Sequence, residues 1–559
     1  MNLRHPGFVL LLAGLCAAAA FGAGLAPAAD VATAQSAAPI SVDIDAAAAD
    51  TPFPHFWEQM FGSGRAILAL RASYRRDLHL MRRVTDFRYV RFHGILNDEV
   101  GLYRVGKHGA ISYNFSYVDQ IYDGLLAAGV RPFVELSFMP RKLARDPKRL
   151  FDFWYKPNIS PPRAYAEWDA LVTALARHLV ARYGIAEVSR WYFEVWNEPN
   201  IGFWGGKPKQ ATYFTLYDHT ARALKAVDAR LRVGGPATAQ AAWVDDFLAH
   251  CHRRGVPVDF VSTHVYANDS PQNVFKTTAP IGRQHMVCRA VRKVHEQIRR
   301  SATPWMPLIF SEYNASYANE PDVTDTTYMG PWLASTIRQC DGMVKAMSYW
   351  SFSDVFEEGG VVRTPFYGGF GAIAERGIPK PVYDAFALLH RLGTRRLVSP
   401  QKSTLVTRRA DGTLVVALWN YAPPDGTGAH YTPPSVERPM KAFVLHVRNL
   451  RRGARAWLWR VDPQHGNVVS AFDAMGRPAF PTRRQIAALR RAAILPRPRL
   501  LEGADAQWRI EVPAHGLALV EIHGLPGLPG LSDRRDDSAG RRAIAASRST
   551  PTNLEGESP

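Results

Sequence analysis

Two glutamates close strongly apolar runs: Glu198 in Trp191-Tyr192-Phe193-Glu194-Val195-Trp196-Asn197-Glu198-Pro199-Asn200, and Glu312 in Pro307-Leu308-Ile309-Phe310-Ser311-Glu312-Tyr313-Asn314. A carboxylate in such surroundings is costly unless it is paired or used. Pro199 cannot continue a strand ladder and biases Glu198 toward an extended backbone, so that carboxyl is expected at the strand's C-terminal end. An aromatic setting raises a carboxyl pKa, as a general acid working near neutral pH requires. Glu312 alone also reads as one half of a structural ion pair; with Glu198 it becomes half of a reacting pair. Two carboxyl groups facing each other over a sugar ring cleave an acetal. One protonates the departing oxygen; the other attacks the anomeric carbon when they stand about 5–5.5 Å apart, or activates water across about 6.5–9.5 Å.

Such a pair needs a rigid frame. Between Phe56 and about Leu392, short β-rich runs alternate with amphipathic helical stretches, which predicts parallel strands joined by helices. Eight strands are expected near Phe56–Phe61, Tyr89–His93, Pro132–Phe138, Tyr192–Trp196, Arg232–Pro236, Phe260–Tyr266, Leu308–Tyr313 and Met347–Phe352. Helices are expected at Ala164–Tyr183, Tyr213–Asp228, Trp243–Arg254, Val287–Arg300 and Pro381–Leu392, from apolar spacing. Eight is the number of a (β/α)8 TIM barrel, whose C-terminal strand ends form the reactive face. On this count Glu198 ends strand four and Glu312 strand seven. The rival, an open doubly wound sheet, wants a nucleotide-type glycine loop, and Phe61-Gly62-Ser63-Gly64-Arg65 lacks its third glycine.

Beyond Ser399 the pattern turns to alternation with glycine turns at Thr404–Arg408, Thr413–Asn420, Ala442–Val447, Ala454–Val461, Trp508–Val512 and Leu517–His523, an antiparallel β-sandwich. Helical character is expected to return only at Thr482–Ala493. The resulting plan is a signal peptide at 1–28, an N-terminal linker or strand at 29–55, the barrel at 56–395, the sandwich at 396–524 and a disordered tail at 525–559. The leader, with Arg4, an apolar stretch from Phe8 and small residues at Ala26-Pro27-Ala28, implies a secreted or periplasmic protein. No other stretch is apolar enough to span a bilayer.

The 559 residues carry 68 Lys and Arg against 50 Asp and Glu, a net +18, but the basic residues are scattered or paired. They read as a solvated surface and not as a nucleic-acid footprint. Past the leader only Cys251, Cys288 and Cys340 remain, without CxxC spacing, so buried free thiols are expected, one bridge being the alternative. No cluster of metal-ligand spacing appears, and acetal cleavage by paired carboxylates needs no cofactor, so none is expected.

At these residues the chain resembles glycoside hydrolase family 39, mostly retaining β-xylosidases and α-L-iduronidases on a (β/α)8 barrel with a β-sandwich attached. The likeness is carried by Arg91-Phe92-His93-Gly94, Tyr113-Asn114-Phe115-Ser116-Tyr117, Phe133 to Pro140, Phe193 to Asn200, Ser262-Thr263-His264-Val265-Tyr266 and Thr364 to Phe370, all in the manner of the xylosidase branch. It implies Glu198 as acid/base, Glu312 as nucleophile and an oligosaccharide as substrate. It further implies that Asn197 bonds the sugar 2-OH, that His264 and Tyr266 flank the two carboxylates, and that His93 lines the glycone subsite. Trp350 would form an apolar floor, Glu357 or Glu358 would bind xylose hydroxyls, and Tyr317 would neighbour the nucleophile.

An α-L-iduronidase would want a cation near C5, for which Arg363 is one candidate, though Glu357 and Glu358 place acid beside it. Other exo-glycosidases of the family stay open, as does a barrel that binds carbohydrate without cleaving it. The sequence carries no signature of oligomeric state.

Overall fold

A computed structural model describes residues 38–524, apart from 424, 428–429, 433–438, 451–452 and 504–505. The expected leader and tail lie outside the described residues. Eight parallel strands close into a barrel: Met60–Gly62, Tyr89–Phe92, Arg131–Leu136, Tyr192–Val195, Arg232–Thr238, Phe260–Tyr266, Leu308–Asn314 and Ala346–Tyr349. The last pairs with the first through Ser348 opposite Met60. Strands two to eight fall where the alternation places them. The first is shorter and later than Phe56–Phe61, because residues 56–59 turn beneath the barrel, where Phe56, Trp57 and Glu58 are buried.

The barrel interior follows from the two-residue period of a strand. Met60, Tyr89, Phe133, Tyr192, Phe260, Ile309 and Ala346 form an apolar layer toward the N-terminal ends. Two residues on, the inward positions are Arg91, Glu135, Glu194, Ser262 and Ser311, all buried. The lower layer seals the barrel against water, so charges above it must find partners among themselves.

Around the strands run the expected helices, Tyr165–Tyr183, Lys209–Val227, Val244–Arg254, Arg283–Arg300 and Pro381–His390 among them. Helix Arg283–Arg300 packs beside Met329–Cys340, and there Cys288 and Cys340 are joined in a disulfide, while Cys251 is a buried free thiol. This corrects the expectation of free thiols. The two positions are 52 residues apart in the chain, yet helix packing brings their Cα atoms to 5.3 Å.

The second body is two packed sheets, one of seven strands and one of three, around Val42, Ile44, Val416, Leu418, Phe443, Leu445, Val520 and Ile522. It is not wholly antiparallel: Ile40–Asp45 runs parallel to Lys441–Arg448, and Asp50–Pro52 also joins the seven-stranded sheet. A second helix, Val468–Ala474, precedes the expected one, whose start is fixed by a capping box between Thr482 and Gln485. Trp419, Leu517 and Leu519 of the sandwich share one apolar cluster with the barrel helices, and Arg391, capping the last barrel helix, bonds Glu521 across the join. No helix among the described residues is long and apolar enough to cross a membrane.

Candidate active site

At the C-terminal mouth of the barrel a cavity of about 300 Å³ is lined by Glu198, Glu312, Asn197, His93, Tyr266, Trp350, Glu358 and Tyr317, with Phe153, Phe203 and Phe370 among its apolar walls. Carboxyl oxygens of Glu198 and Glu312 and a ring nitrogen of His264 all lie within 4.8 Å of one another.

Each carboxyl is aimed by a backbone irregularity, within the seventh strand for Glu312 and just past the end of the fourth for Glu198. Between Phe310 and Tyr313 the register of the seventh strand shifts, so that Ser311 and Glu312 both turn inward, the first to Glu194 and the second to Arg91. A second shift between Thr263 and His264 sets His264 opposite Glu312 in the ladder. Glu198 departs from the extended backbone expected before Pro199: its φ is 42°, following Trp196 at 71°. Non-glycine residues reach this region only when held there. The bond from Glu198 N–H to Ala237 O at 2.8 Å and the contact of its Oε1 with His264 Nδ1 at 3.0 Å do the holding.

Glu312 is anchored at both oxygens. Arg91 Nη1 donates to Oε1 and the Tyr266 hydroxyl to Oε2, each at 2.6 Å. Burial pushes its pKa up, while Arg91, His93 and Tyr266 pull it back. Among the described residues Glu198 has no such donors; burial, then the charges of Glu312 and Asp269, raise it well above the usual range. Of the pair, the proton therefore stays on Glu198 and the negative charge on Glu312.

The neighbours fix where that proton points. Burial, with Arg91 and His93 nearby, keeps His264 neutral. Ser311 Oγ donates to Glu194 at 2.6 Å and so accepts from His264 Nε2 at 3.1 Å, leaving Nδ1 a bare acceptor facing Glu198. A protonated Glu198 satisfies it. His93 is the opposite case: burial opposes its charge, but Glu135 and Glu358 prevail and raise it to about 10, so both ring nitrogens donate, Nδ1 to Glu135 at 2.7 Å and Nε2 toward Glu358 at 3.4 Å.

Arg91 is the residue that spacing alone does not nominate. Its guanidinium bonds Glu194 at 2.6 Å, Glu135 at 2.8 Å and Asn197 Oδ1 at 2.9 Å as well as Glu312. With Oδ1 so held, the Asn197 side chain offers its amide N–H₂ to the cavity. The signal that could have found it is a charge at inward positions of three apolar strands: Arg91, Glu135 and Glu194. Gly62 is a second omission, because a Cβ there would overlap the Trp350 ring.

Of the residues the resemblance nominates, Glu357 alone is directed elsewhere. Arg71 clamps it with both terminal nitrogens and Arg65 approaches at 3.4 Å, while its neighbour Glu358 enters the cavity. Tyr317 stands half-exposed at the rim, its ring edge-on to Tyr266 at 6.2 Å. Arg363 is exposed and outside the lining.

Among the described residues two clusters have metal-ligand chemistry, the trio of Glu198, His264 and Glu312, and His55, Glu58 and His390 below the barrel. In the first, Arg91 already supplies the positive charge. In the second, each oxygen of Glu58 meets one ring Nδ1, at 2.7 and 2.8 Å, tying the chain before the first strand to the end of the last barrel helix.

A TIM barrel whose mouth opposes an anchored carboxylate to a proton-bearing one defines a glycoside hydrolase. The chain belongs to glycosyl hydrolases family 39, whose model matches residues 40–500. It is 40% identical over 450 residues to a β-xylosidase of Geobacillus stearothermophilus, covering 78% of this chain and 86% of that one. The crystal structure of a monomeric β-xylosidase from Caulobacter crescentus CB15 superposes with a TM-score of 0.79 at 35% identity, covering 87% of this chain and all of that one. Human α-L-iduronidase is 31% identical over 191 residues, 31% of this chain and 27% of that one.

Proposed function

We propose that this enzyme removes β-D-xylosyl residues from xylo-oligosaccharides with net retention of anomeric configuration. The observation that carries the reading is the approach of Glu198 and Glu312 to within 4.8 Å. Retaining glycosidases need about 5–5.5 Å between the carboxyl groups, and the about 6.5–9.5 Å of inverting enzymes would be required to admit a water.

In the first half-reaction Glu198 gives its proton to the glycosidic oxygen while Glu312 attacks C1, forming a covalent glycosyl ester and releasing the aglycone. In the second, the Glu198 carboxylate takes a proton from water, water attacks C1 and Glu312 leaves as a carboxylate. Arg91 and Tyr266 hold the nucleophile on line, and Asn197 bonds the 2-OH, a contact that strengthens as the ring acquires oxocarbenium character. Trp350 lies beneath the ring, and Glu358, paired with His93, takes hydroxyls at its far edge.

The xylosyl reading is supported by charge. Among the described residues the lining has no lysine or arginine, the charge of His93 is met by Glu135 and Glu358, and a uronic acid would add its carboxylate to that of Glu312. The β-xylosidases align over most of the chain, the iduronidase over about a third. A panel of aryl glycosides, with the first-formed product anomer followed by NMR, tests both parts. Turnover of the β-xyloside with β-xylose appearing first is expected; preference for the α-L-iduronide, or first release of α-xylose, refutes the reading.

We further infer action outside the cytosol, a reading that the leader-like residues 1–28 and the Cys288–Cys340 disulfide support. Fractionation of expressing bacteria, with activity confined to the cytosol, would overturn it.

A further inference from the structure

The loops that follow the fifth and sixth barrel strands carry two polar side chains to which no contact with the sugar has yet been given. Gln240 and Asp269 line the same cavity as Glu198. Asp269 is buried, and its Oδ2 accepts the Tyr266 N–H at 2.8 Å. Among the described residues its Oδ1 meets the Gln240 amide at 3.4 Å, a long contact that leaves acceptor capacity toward the cavity.

The loop bearing Gln240 is strained. Ala237, Gln240, Ala241 and Trp243 all have positive φ, between 50° and 61°. Four non-glycine residues in this region persist only where the surroundings enforce it, and such strain collects at functional sites. The enforcement comes from the acid/base segment: Asn200 bonds the Ala239 backbone twice, at 2.9 and 3.0 Å, and Ala237 O accepts the Glu198 N–H. Gln240 and Asp269 are thereby held beside Glu198, across the mouth from His93, Glu358 and Trp350. Glu198 protonates the oxygen between the two sugars, so the departing sugar lies on its side.

We propose that Gln240 and Asp269 bind hydroxyls of the sugar on the leaving-group side, making the enzyme select a saccharide aglycone over a simple alcohol. A carboxylate acceptor beside an amide that both donates and accepts suits a vicinal diol. The proposal rests on the glycosidase reading given above.

The test compares kcat/KM for xylobiose and methyl β-xyloside in the wild type, Gln240→Ala and Asp269→Asn, each on its own pH plateau, so that a shift of the Glu198 basic limb on loss of the Asp269 charge does not enter. Both leaving groups need protonation, so a weakened acid would slow both alike, but only xylobiose offers hydroxyls. Asparagine keeps an acceptor for the Tyr266 N–H and so keeps the turn. Each substitution is expected to cost roughly 10-fold or more on xylobiose, and less than about threefold on methyl β-xyloside, with the unfolding midpoint unchanged. Equal losses on both substrates, or no loss on either, overturn the proposal and leave the glycosidase reading standing. Wild-type turnover of neither overturns both.

Discussion

Arg91 donates from Nη1 to Oε1 of Glu312 at 2.6 Å, with both side chains almost wholly withdrawn from solvent. The same guanidinium also holds Glu135, Glu194 and Asn197, so one cation orders the floor of the site. Arg91→Met would leave Glu194 and Glu312 without the cation that both bond, and Glu135 with His93 alone. Breaking a buried ion pair from one side costs about 3–5 kcal/mol, so denaturant titration should show a loss on that scale. In Arg91→Lys, which keeps the charge but not the fork, Glu312 should hold its proton to higher pH. The acid limb of kcat/KM then moves upward.

Glu312→Gly removes the nucleophile but not the acid. Turnover should fall by roughly 10⁴-fold or more. Added azide should restore part of it and yield the glycosyl azide of inverted configuration, seen by NMR. Full activity of the variant would end the assignment.

Glu198 must carry its proton when the first bond breaks. Burial and the charges of Glu312 and Asp269 raise its pKa well above 4.5. The competent form therefore persists above that value and is lost as pH rises through the raised one, giving a basic limb to kcat/KM. Glu198→Ala should abolish this limb. It should also slow alkyl xylosides by about 10²–10⁴-fold, while nitrophenyl xylosides, whose leaving group needs no proton, still form the glycosyl-enzyme.

His93 links stability to pH. Its pKa rises from 6.5 to about 10 because Glu135 and Glu358 outweigh the cost of burying its charge. A folded-state value above the unfolded one means stabilisation that is complete below about pH 6.5 and lost as pH climbs through about 10. The deficit of His93→Gln, read from urea midpoints, should accordingly shrink between those limits; a constant deficit would show that His93 is not charged.

Cys288 and Cys340 close a loop of 52 residues that contains the strand of Glu312. Chain entropy assigns such a loop about 4 kcal/mol. The Cys288→Ala, Cys340→Ala double variant should unfold at lower temperature than the oxidised wild type and match the wild type under reducing conditions.

Much of this architecture is legible in residue order. The two-residue period of buried strands is written in residue types, so the barrel strands from the second onward and most sandwich strands fall where alternation places them. Glu198 and Glu312 stand out because a lone carboxylate at the end of an apolar run is too costly to keep unless it is paired or used. The first strand begins later than expected because Phe56 and Trp57 are as apolar as strand residues, and only their packing under the barrel shows that they turn. Glu357 and Glu358 are chemically alike neighbours; Arg71 and Arg65, nearly three hundred residues earlier, decide which of them turns away from the cavity.

Local chemistry thus determined the kind of fold and singled out two carboxyls, at the ends of strands four and seven, as the candidate reacting pair. The proton on Glu198, expected from its aromatic setting and from the family resemblance, acquires its physical cause only in the tertiary structure, where Arg91 and Tyr266 reach Glu312 and not Glu198. Tertiary structure alone decided the left-handed backbone of Glu198, the disulfide and the gap between the two acids. Each of these is a distance between residues far apart in the chain, set by barrel closure, and such distances have no counterpart in the order of residues.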